Sequence, residues 1–424
     1  MKQKVYEALE ANFNEIVRVG DYLFEHPELG FFEQETEKVI CNYLDKLGLN
    51  YENHISEHGV ICTIGSGDYH IGVLADMDAL LTNIDGNMQA FHSCGHSIQV
   101  TVLLNLITAF CKSKVMDQLN GKISFIFTPA EEYIDLDNRR KLQAEGRIKY
   151  LSGKQNMIYQ GLFDDLDAVL SCHVMGPDPN TPQAKFDINS TLAGFILKDI
   201  IFKGTAAHAG VIPHLGRNAL QAATLSLTAI QMLKDTFSPE AGSRVFPILK
   251  EGGTTANTIC DYSRLETYLR IIDDKELFHI SSQITNACNH CALALETECE
   301  VIDTNGYLPL KQSKELNDVI YQNMLEQCED KEIIKNVVSG ASGDIGDVSF
   351  LLPTIQFGFS GISGNVHSNQ FTIVDKKHCY ENTAKVLAGT IIDLFQHPEL
   401  QVRNEAFHEK KEFYFREWLK VQSK

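Results

Sequence analysis

The first 175 residues alternate between strand-like and helix-like hydrophobic patterns. Short apolar runs that suit buried strands are separated by segments of helical periodicity, which is typical of an α/β layer with a mostly parallel sheet. The stretch Val100–Cys111 predicts a helix, because its large apolar residues recur three and four positions apart. The strands predicted in this region are Gly59–Ile64, Ile71–Ala75, Lys122–Thr128 and Ala168–His173.

A different pattern of hydrophobic and polar residues begins near residue 190. Its predicted elements alternate in the order β-α-β-β-α, which suits a small α+β domain. They are Gly194–Gly204, Asn218–Phe237, Arg244–Leu249, Ser263–Ile272 and Lys275–Leu293. The α/β pattern of the first 175 residues then returns, with helices predicted at Ser313–Gln327 and Lys377–Phe395 and a strand at Thr354–Phe359. We therefore predict one domain, residues 192–306, inserted into an α/β domain made of residues 1–191 and 307–424.

Composition narrows the classes of partner. The 424 residues are 44% hydrophobic and 22% charged, as in folded globular proteins, and the net charge is −19. This acidity argues against nucleic acid or an anionic membrane surface as the main partner. No apolar run approaches the roughly 18 residues of a membrane span, and we expect no secretory signal. Eleven scattered cysteines indicate reduced thiols, so a cytoplasmic location is expected.

Two pairs of carboxylates follow predicted strands. Asp76 and Asp78 end one apolar run, and Glu131 and Glu132 follow another. In an open α/β sheet such positions lie at the edge where ligands bind. Adjacent side chains point in different directions, so one glutamate can bind a metal while the other faces an attacking water. Either pair alone would equally suit solvated acids in a turn.

A set of metal-ligand residue types follows the same predicted strands. Cys94 and His96 are two positions apart, directly before the long apolar helix, and a thiolate can bridge two divalent ions. His173 and His367 also come after strand-like segments. Together with Glu132 they offer enough ligands for two ions. A lone histidine at such a position is more often structural, so the prediction depends on the whole set.

A competing candidate metal site lies in the predicted inserted domain. Cys288, His290 and Cys291, with Cys299 eight positions further on, resemble a zinc site by spacing. They fall within the predicted helix Lys275–Leu293, however, where a spacing of three fits one apolar face. We interpret these cysteines as core thiols.

These segments together resemble the zinc metallopeptidases that include aminoacylase, glutamate carboxypeptidase and hippurate hydrolase. The most similar branch is that of the N-acyl-amino-acid, indoleacetyl-amino-acid and aminobenzoyl-glutamate hydrolases. The resemblance runs in the family's order from about residue 10 to residue 395. The matching runs are His26–Gly30, Ala75–Leu80, His92–His96, Pro129–Glu132, Gly204–Ala209, Pro213–Gly216, Gly252–Ile259 and Val366–Ser368.

The resemblance implies a mostly parallel α/β catalytic domain with an inserted ferredoxin-like α+β domain for dimerisation or as a lid. It implies two divalent ions of zinc, manganese, cobalt or nickel, bridged by Cys94. The remaining implied ligands are His96, Glu132, His173 and His367. Glu131 would be the general base, and His208 would stabilise the oxyanion, reaching into the other subunit of a homodimer.

The implied substrates are N-acyl-amino acids, such as those resembling hippurate, aminobenzoyl-glutamate or indoleacetyl-amino acids. A dipeptidase or aminopeptidase of the same family stays open, as does a metal-free relative that only binds acyl-amino acids. Asn257, Arg270 and His214 are the implied substrate-binding residues. Asn257 would equally suit a turn cap, and Arg270 a surface strand position.

Two departures from the branch stand out. Ser97 occupies the position that usually carries Asp after Cys-Gly-His, so metal affinity or identity is expected to differ. The interval between Glu132 and His173 is long and includes a charged helical segment, Asp135–Gln155. This segment would be either a lid that narrows substrate choice or a surface helix without contact to substrate.

Overall fold

The computed structural model describes residues 1–403 and 406–419. These residues form two compact units. Unit 1 comprises Met1–Thr191, Lys311–Val338 and Asp347–Lys411. Unit 2 comprises Leu192–Leu310, Ser339–Gly346 and the described residues from Glu412 on. Unit 2 thus takes in two later segments that lie outside the predicted inserted domain of residues 192–306.

The helices follow the predicted order. Val100–Cys111 forms the centre of a longer helix, and a π-helical turn at His378–Asn382 precedes the last predicted one. The α-helices of the described chain are α1 (Lys2–Glu25), α2 (Gln34–Leu47), α3 (His96–Ser113), α4 (Leu136–Ala144), α5 (Gly153–Gln160), α6 (Ala219–Leu233), α7 (Asp274–Ala294), α8 (Lys314–Leu325), α9 (Ile345–Leu351), α10 (Thr383–Gln396) and α11 (Phe407–Phe413).

The strands include every predicted one, although the predicted strand Arg244–Leu249 is divided in two. The strands are β1 (Glu52–Ile55), β2 (Gly59–Ser66), β3 (His70–Asp76), β4 (Leu80–Ile84), β5 (Asn87–Phe91), β6 (Gly121–Thr128), β7 (Ala168–Val174), β8 (Phe186–Ile188), β9 (Gly194–Lys203), β10 (Arg244–Val245), β11 (Ile248–Glu251), β12 (Tyr262–Ile271), β13 (Glu298–Asn305), β14 (Ile333–Lys335), β15 (Thr354–Phe359), β16 (Ile362–Ser363) and β17 (Thr372–Ile373).

Unit 1 is built around an eight-stranded sheet of order β1-β2-β6-β3-β7-β15-β8-β14. Its central strands β6, β3, β7 and β15 run parallel. Antiparallel pairs occur toward the edges, between β1 and β2, β2 and β6, and β15 and β8. The carboxyl ends of the central strands therefore meet at one edge, where open α/β sheets bind ligands.

Helix α3 lies against this sheet and is buried along most of its length. It contacts β3 on one side and α1 and α10 on others, so apolar residues cover nearly its whole circumference. That burial explains the continuous hydrophobic run in the sequence. The helix begins at His96, so the rigid core fixes the position of a predicted ligand. Among the described residues, no helix is both long and apolar enough to cross a bilayer.

Unit 2 has an antiparallel sheet of order β10-β12-β9-β13, with β11 also paired to β12. Helices α6 and α7 pack against each other and against β9 and β12. Buried and exposed residues alternate along β12, as expected of a sheet with one covered face. Strand β13 completes a β-α-β-β-α-β order, which matches the expected ferredoxin-like α+β fold.

Candidate metal centre

Three parallel strands deliver predicted site residues to one edge of the sheet in unit 1. Asp76 ends β3, Glu131 and Glu132 follow β6, and His173 lies at the end of β7. Asp76 faces a buried Lys154 and accepts a hydrogen bond from Thr128 Oγ1 at 2.6 Å.

Burial would raise the pKa of Asp76, but Lys154, then His96, lower it to about 2. Asp76 is therefore ionised and paired inside the unit. Its backbone amide donates to Gln99 Oε1 at 2.8 Å, which ties the end of β3 to helix α3.

A tight turn places Cys94 and His96 at the start of α3. Gly95 between them has φ of +81°, a left-handed conformation that glycine adopts without strain. A Cβ on Gly95 would also lie 2.5 Å from Val174 Cγ1. The turn therefore requires glycine twice over, for conformation and for space, and it brings both ligand side chains toward the end of β7.

The predicted ligands fall into overlapping groups. Cys94, His96 and His173 form one group, with Cys94 Sγ 3.5 Å from His173 Nε2. Cys94, Glu132 and His367 form a second, in which His367 Nε2 is 3.3 Å from Cys94 Sγ and 3.4 Å from Glu132 Oε1. Within each group the ligand atoms lie within 4.8 Å of one another. The Cys94 thiol is shared, as a bridge between two ions requires.

Hydrogen bonds from the second ring nitrogen orient the imidazoles of His96 and His173. His96 Nδ1 donates to the backbone and side-chain oxygens of Asp78 at 2.9 and 3.1 Å, and His173 Nδ1 donates to Val174 O at 2.8 Å. In both rings Nε2 therefore faces the cluster. The backbone of His367, with φ of +62°, donates to Ser93 O at 2.8 Å.

These donors fit divalent ions. His96 Nε2 and Glu132 Oε1 are buried, and neither has a hydrogen-bond partner within the described chain. One thiol, three imidazoles and a carboxylate form a sulfur, nitrogen and oxygen set that suits ions such as zinc.

The pKa values of the predicted ligands are shifted in different directions. Burial would raise the pKa of Glu132, but His367 and His96 lower it to about 2, so this carboxylate is ionised at neutral pH. Burial, then Glu132, raise the pKa of Cys94 well above its ordinary value. Burial and the charge of His96 lower the pKa of His173 to about 4. A thiolate at Cys94 therefore requires a compensating cation.

Asp78 contacts two predicted ligands, which the sequence did not reveal. It is fully buried; one oxygen contacts His96, and the other accepts a hydrogen bond from the Glu132 amide at 3.0 Å. A single carboxylate thus orients two predicted ligands. The sequence does contain an Asp-x-Asp pair at the end of an apolar strand. This pair indicates the edge of the sheet but not the contacts of Asp78 with His96 and Glu132.

The charged segment Asp135–Gln155 is not one surface helix. It contains α4 and the start of α5, separated by a turn region. Arg139 and Lys154 are only 2% and 1% exposed. The segment therefore directs two of its charges into unit 1. Ser97, the other departure from the branch, is buried too, and its hydroxyl has no hydrogen-bond partner among the residues described.

The predicted residues outside this cluster all lie in unit 2. His208, His214 and Asn257 are exposed, and Ala209 N donates to Asn257 O at 2.9 Å, which joins two of their loops. Asn257 Oδ1 accepts from Thr255 Oγ1 at 3.0 Å, so it also organises its own turn.

Arg270 is half-buried in unit 2. Its guanidinium lies 5.8 Å from the ring centroids of Phe195 and Tyr268 and donates to Gly340 O at 3.0 Å. These contacts give it a packing role inside the unit in addition to any contact with substrate.

Two further clusters contain ligand types. Cys288 is buried in α7, and none of the three-residue ligand groups found in the described chain includes it. In unit 1, Glu37 has His54 Nδ1 and His58 Nδ1 each 2.8 Å from its carboxylate oxygens. That spacing is typical of direct hydrogen bonds. We interpret this group, the Glu37 cluster, as hydrogen-bonded.

Comparison with known proteins gives a family. The model of Peptidase family M20/M25/M40 matches residues 72–393, which is most of the chain. This range contains every residue of the overlapping ligand groups, Glu131 and the loops of His208 and Asn257.

Relatives with names are similar at modest identity. A p-aminobenzoyl-glutamate hydrolase chain of Escherichia coli is 28% identical over 339 residues, covering 76% of this chain and 65% of that protein. IAA-amino acid hydrolase ILR1-like 2 of Arabidopsis thaliana is 29% identical over 261 residues, covering 59% and 54%. Xaa-Arg dipeptidase of Mus musculus is 29% identical over 338 residues, covering 76% and 71%. The chain thus spans less than two thirds of the first two relatives.

Solved structures share the fold. A crystal structure from methicillin-resistant Staphylococcus aureus has a TM-score of 0.79 at 21% identity and covers 93% of this chain and 100% of its own. A dinuclear metal-binding peptidase of the M20 family from Bacillus subtilis has a TM-score of 0.70 at 17% identity, covering 91% and 99%. At these identities the similarity establishes the fold.

Proposed function

The chain belongs to peptidase family M20/M25/M40, and we propose on that premise that it is a metal-dependent amidohydrolase. It would cleave the amide bond between an acyl group and an amino acid. The observation that supports this best is the Cys94 thiol shared by two ligand groups, with the Glu131 carboxylate beside them.

The ligand groups define where ions would be held. Cys94, His96 and His173 would hold one divalent ion, and Cys94, Glu132 and His367 the other. When bound, the ions supply positive charge that polarises the scissile carbonyl and acidifies the attacking water. The thiol and imidazole ligands favour zinc, with manganese, cobalt or nickel as alternatives.

Glu131 would act as the general base. Its Oε2 atom lies 3.9 Å from His96 Nε2, at the border of the ligand cluster, and its side chain is 12% exposed. A carboxylate in this place can accept a proton from the attacking water and return it to the leaving amine. The water oxygen then remains with the acyl product, and the amino acid leaves with its amine.

Unit 2 would supply the remaining groups from a second copy of the chain. His208 would donate to the oxyanion, and Asn257, His214 and Arg270 would bind substrate. A homodimer would require an interface, and unit 2 has large exposed apolar residues that are available for one. They include Met232, Phe246 and Leu293, which are 68%, 71% and 74% exposed.

A dipeptidase is the second candidate, and it is favoured by the similarity to the mouse Xaa-Arg dipeptidase. It differs in requiring a free amine on the substrate. A metal-free binding protein is disfavoured, because the ligand set and Glu131 are all present.

All eleven cysteines, which lie within the described residues, are free thiols, as a cytoplasmic location would require.

The test combines metal analysis with a substrate screen. Purified protein should bind two divalent ions per chain and hydrolyse N-acyl-amino acids such as hippurate and aminobenzoyl-glutamate. Dipeptides with free and with acetylated amines separate the two candidates. Hydrolysis restricted to free-amine dipeptides would favour the dipeptidase. Binding of two ions without hydrolysis of either class would overturn both.

A further inference from the structure

The turn that carries Glu131 and Glu132 is strained and buried. Glu131 Oε2 lies 3.9 Å from His96 Nε2 and Glu132 Oε1 lies 3.4 Å from His367 Nε2, while both carboxylates have an oxygen within 4.8 Å of a His96 nitrogen. Ala130 precedes them with φ of +54°, in the left-handed region that residues other than glycine rarely adopt. Such a conformation persists only where the surroundings hold it.

Glu33 holds the amide of this turn. It is the residue before α2, its side chain is fully buried, and its Oε1 atom accepts a hydrogen bond from Ala130 N at 2.8 Å. The other oxygen, Oε2, has no hydrogen-bond partner in the described part of the chain. A buried carboxylate is unfavourable by itself. The bond to Ala130 is therefore the contact that accounts for its place.

Arg139 of α4 holds the carbonyls. Its Nη1 atom donates to Ala130 O at 3.3 Å and to Leu151 O at 2.6 Å, and its Nη2 atom donates to Glu132 O. The guanidinium lies 5.3 Å from the centre of the Phe31 ring. A planar guanidinium binds several carbonyls at fixed angles, which a lysine ammonium does not.

Asp78 completes the arrangement from the end of β3. It accepts from Glu132 N at 3.0 Å, and its Oδ2 atom lies 4.0 Å from Arg139 Nη2. The amide and the carbonyl of both Ala130 and Glu132 are therefore bound by the buried side chains of Glu33, Arg139 and Asp78. Gly30 leaves room for this, since a Cβ there would lie 2.6 Å from Arg139 Nη2.

We propose that Arg139 and Glu33 are positioning residues that hold Ala130 in its left-handed conformation and so orient the carboxylates of Glu131 and Glu132. This inference rests on the proposed roles of Glu131 as base and Glu132 as ligand. It gives α4 a task unlike that of a lid, because its arginine acts from inside the unit on the turn that carries both carboxylates.

The test compares Arg139→Met with two controls on the same helix. Arg140→Met removes the neighbouring guanidinium, which is exposed, and Leu142→Ala removes a buried apolar side chain that packs in one cluster with Ala130 but cannot hydrogen-bond to the turn. For each protein, Zn²⁺ is titrated into apo protein by calorimetry. The values of kcat and KM at saturating Zn²⁺, and Tm, are also measured.

We expect Arg139→Met to lower zinc affinity and kcat by about 10- to 100-fold while KM stays nearly unchanged. Arg140→Met should match the wild type. Leu142→Ala should lower Tm alone. If Arg139→Met and Leu142→Ala have the same Tm, kcat and zinc affinity, Arg139 is only structural and the proposal is wrong.

Ala130→Gly provides a rescue, because glycine adopts the required conformation without steric strain. Added to Arg139→Met, it should restore part of the lost zinc affinity and kcat, whereas added to Leu142→Ala it should restore neither. Absence of rescue would contradict action through Ala130. If Arg139→Met does not fold, Arg139→Lys replaces it, with a smaller loss in the same two quantities and the same rescue expected.

Zinc affinity separates this inference from the proposed function. A wild type that binds two ions but hydrolyses neither substrate class would overturn the proposed function. A loss of zinc affinity in Arg139→Met would still support the positioning role. A wild type that hydrolyses acyl-amino acids, together with an Arg139→Met variant of full zinc affinity and kcat, would overturn the positioning role alone.

Discussion

The two units carry their predicted functional residues in opposite ways. In unit 1, Cys94 and Glu132 are buried, and their ligand groups overlap within 4.8 Å. In unit 2, His208, His214 and Asn257 are exposed. The first set is already assembled by the core of its own unit. The second set faces solvent, so its proposed roles depend on a substrate or another copy of the chain.

A second contrast lies inside unit 1. The Glu37 cluster and the Cys94 groups both combine histidine with other ligand types, but the Glu37 cluster has no thiol, and the donor atoms are spaced differently. Atoms around Cys94 lie 3.3 to 3.5 Å apart, whereas His54 and His58 lie 2.8 Å from Glu37. Residue types alone therefore do not identify a metal site; what distinguishes the Cys94 groups is one thiol shared by two sets of ligands.

The largest expected effect is that of Cys94→Ala. Removal of the shared thiol takes a ligand from both groups, so we expect loss of both ions and of all measurable hydrolysis. The check is metal content after dialysis, alongside activity. Cys288→Ala is the matched control, a buried thiol in unit 2, and should keep wild-type metal content. Equal metal content in Cys94→Ala and the wild type would show that the ligand groups of unit 1 do not hold the ions.

Glu131→Gln should retain both ions but lose turnover. The amide preserves the shape of the side chain and cannot accept the proton, so kcat should fall by about 10²- to 10⁴-fold. Steady-state kinetics and metal analysis of the same preparation check this. If kcat at saturating substrate changes only severalfold, Glu131 is not the base.

His208→Ala tests whether unit 2 takes part in catalysis. Loss of a donor to the oxyanion should lower kcat by about 10²- to 10³-fold, with metal content and Tm unchanged. His279→Ala, which alters another histidine of unit 2, serves as the control. An unchanged kcat would place His208 outside the reaction.

Mixing distinguishes the subunit from which His208 acts. A dimer of one His208→Ala chain and one Glu131→Gln chain contains one site with both groups if His208 serves the other subunit. Activity should then return in part once subunit exchange has been shown with labelled chains. No recovery despite exchange would place His208 in the site of its own subunit.

The sequence predicted which edge of the sheet in unit 1 collects ligand-type residues, for a physical reason. Buried parallel strands are short apolar runs, and a ligand at the end of each run lies at the same edge of the sheet. Asp76, Glu132 and His173 were therefore placed together without knowledge of their contacts. Strand β13 was not predicted, although charged and apolar residues alternate along Glu298–Val301 as in a strand with one covered face.

Arg139 and Lys154 show what the sequence could not reveal. Charged residues in a charged segment are usually exposed. Their burial here depends on partners far along the chain or on backbone carbonyls, namely Asp76 for Lys154 and the Ala130 and Glu132 carbonyls for Arg139. Neither kind of partner leaves a local pattern.

The smallest expected effect is that of Glu37→Gln, which sharpens the contrast inside unit 1. Glutamine keeps one acceptor for Asn53 or the His54 amide but loses the second carboxylate oxygen, so the free energy of unfolding should fall by about 1–2 kcal/mol.

Metal content and kcat should match the wild type, because hydrogen bonds rather than an ion join this cluster. Denaturant unfolding and metal analysis check both parts. His397→Gln, at an exposed histidine 3.3 Å from Glu399, is the control and should change neither quantity. Loss of one bound ion in Glu37→Gln alone would show that the Glu37 cluster holds a metal, and a shared thiol would then no longer distinguish the metal site.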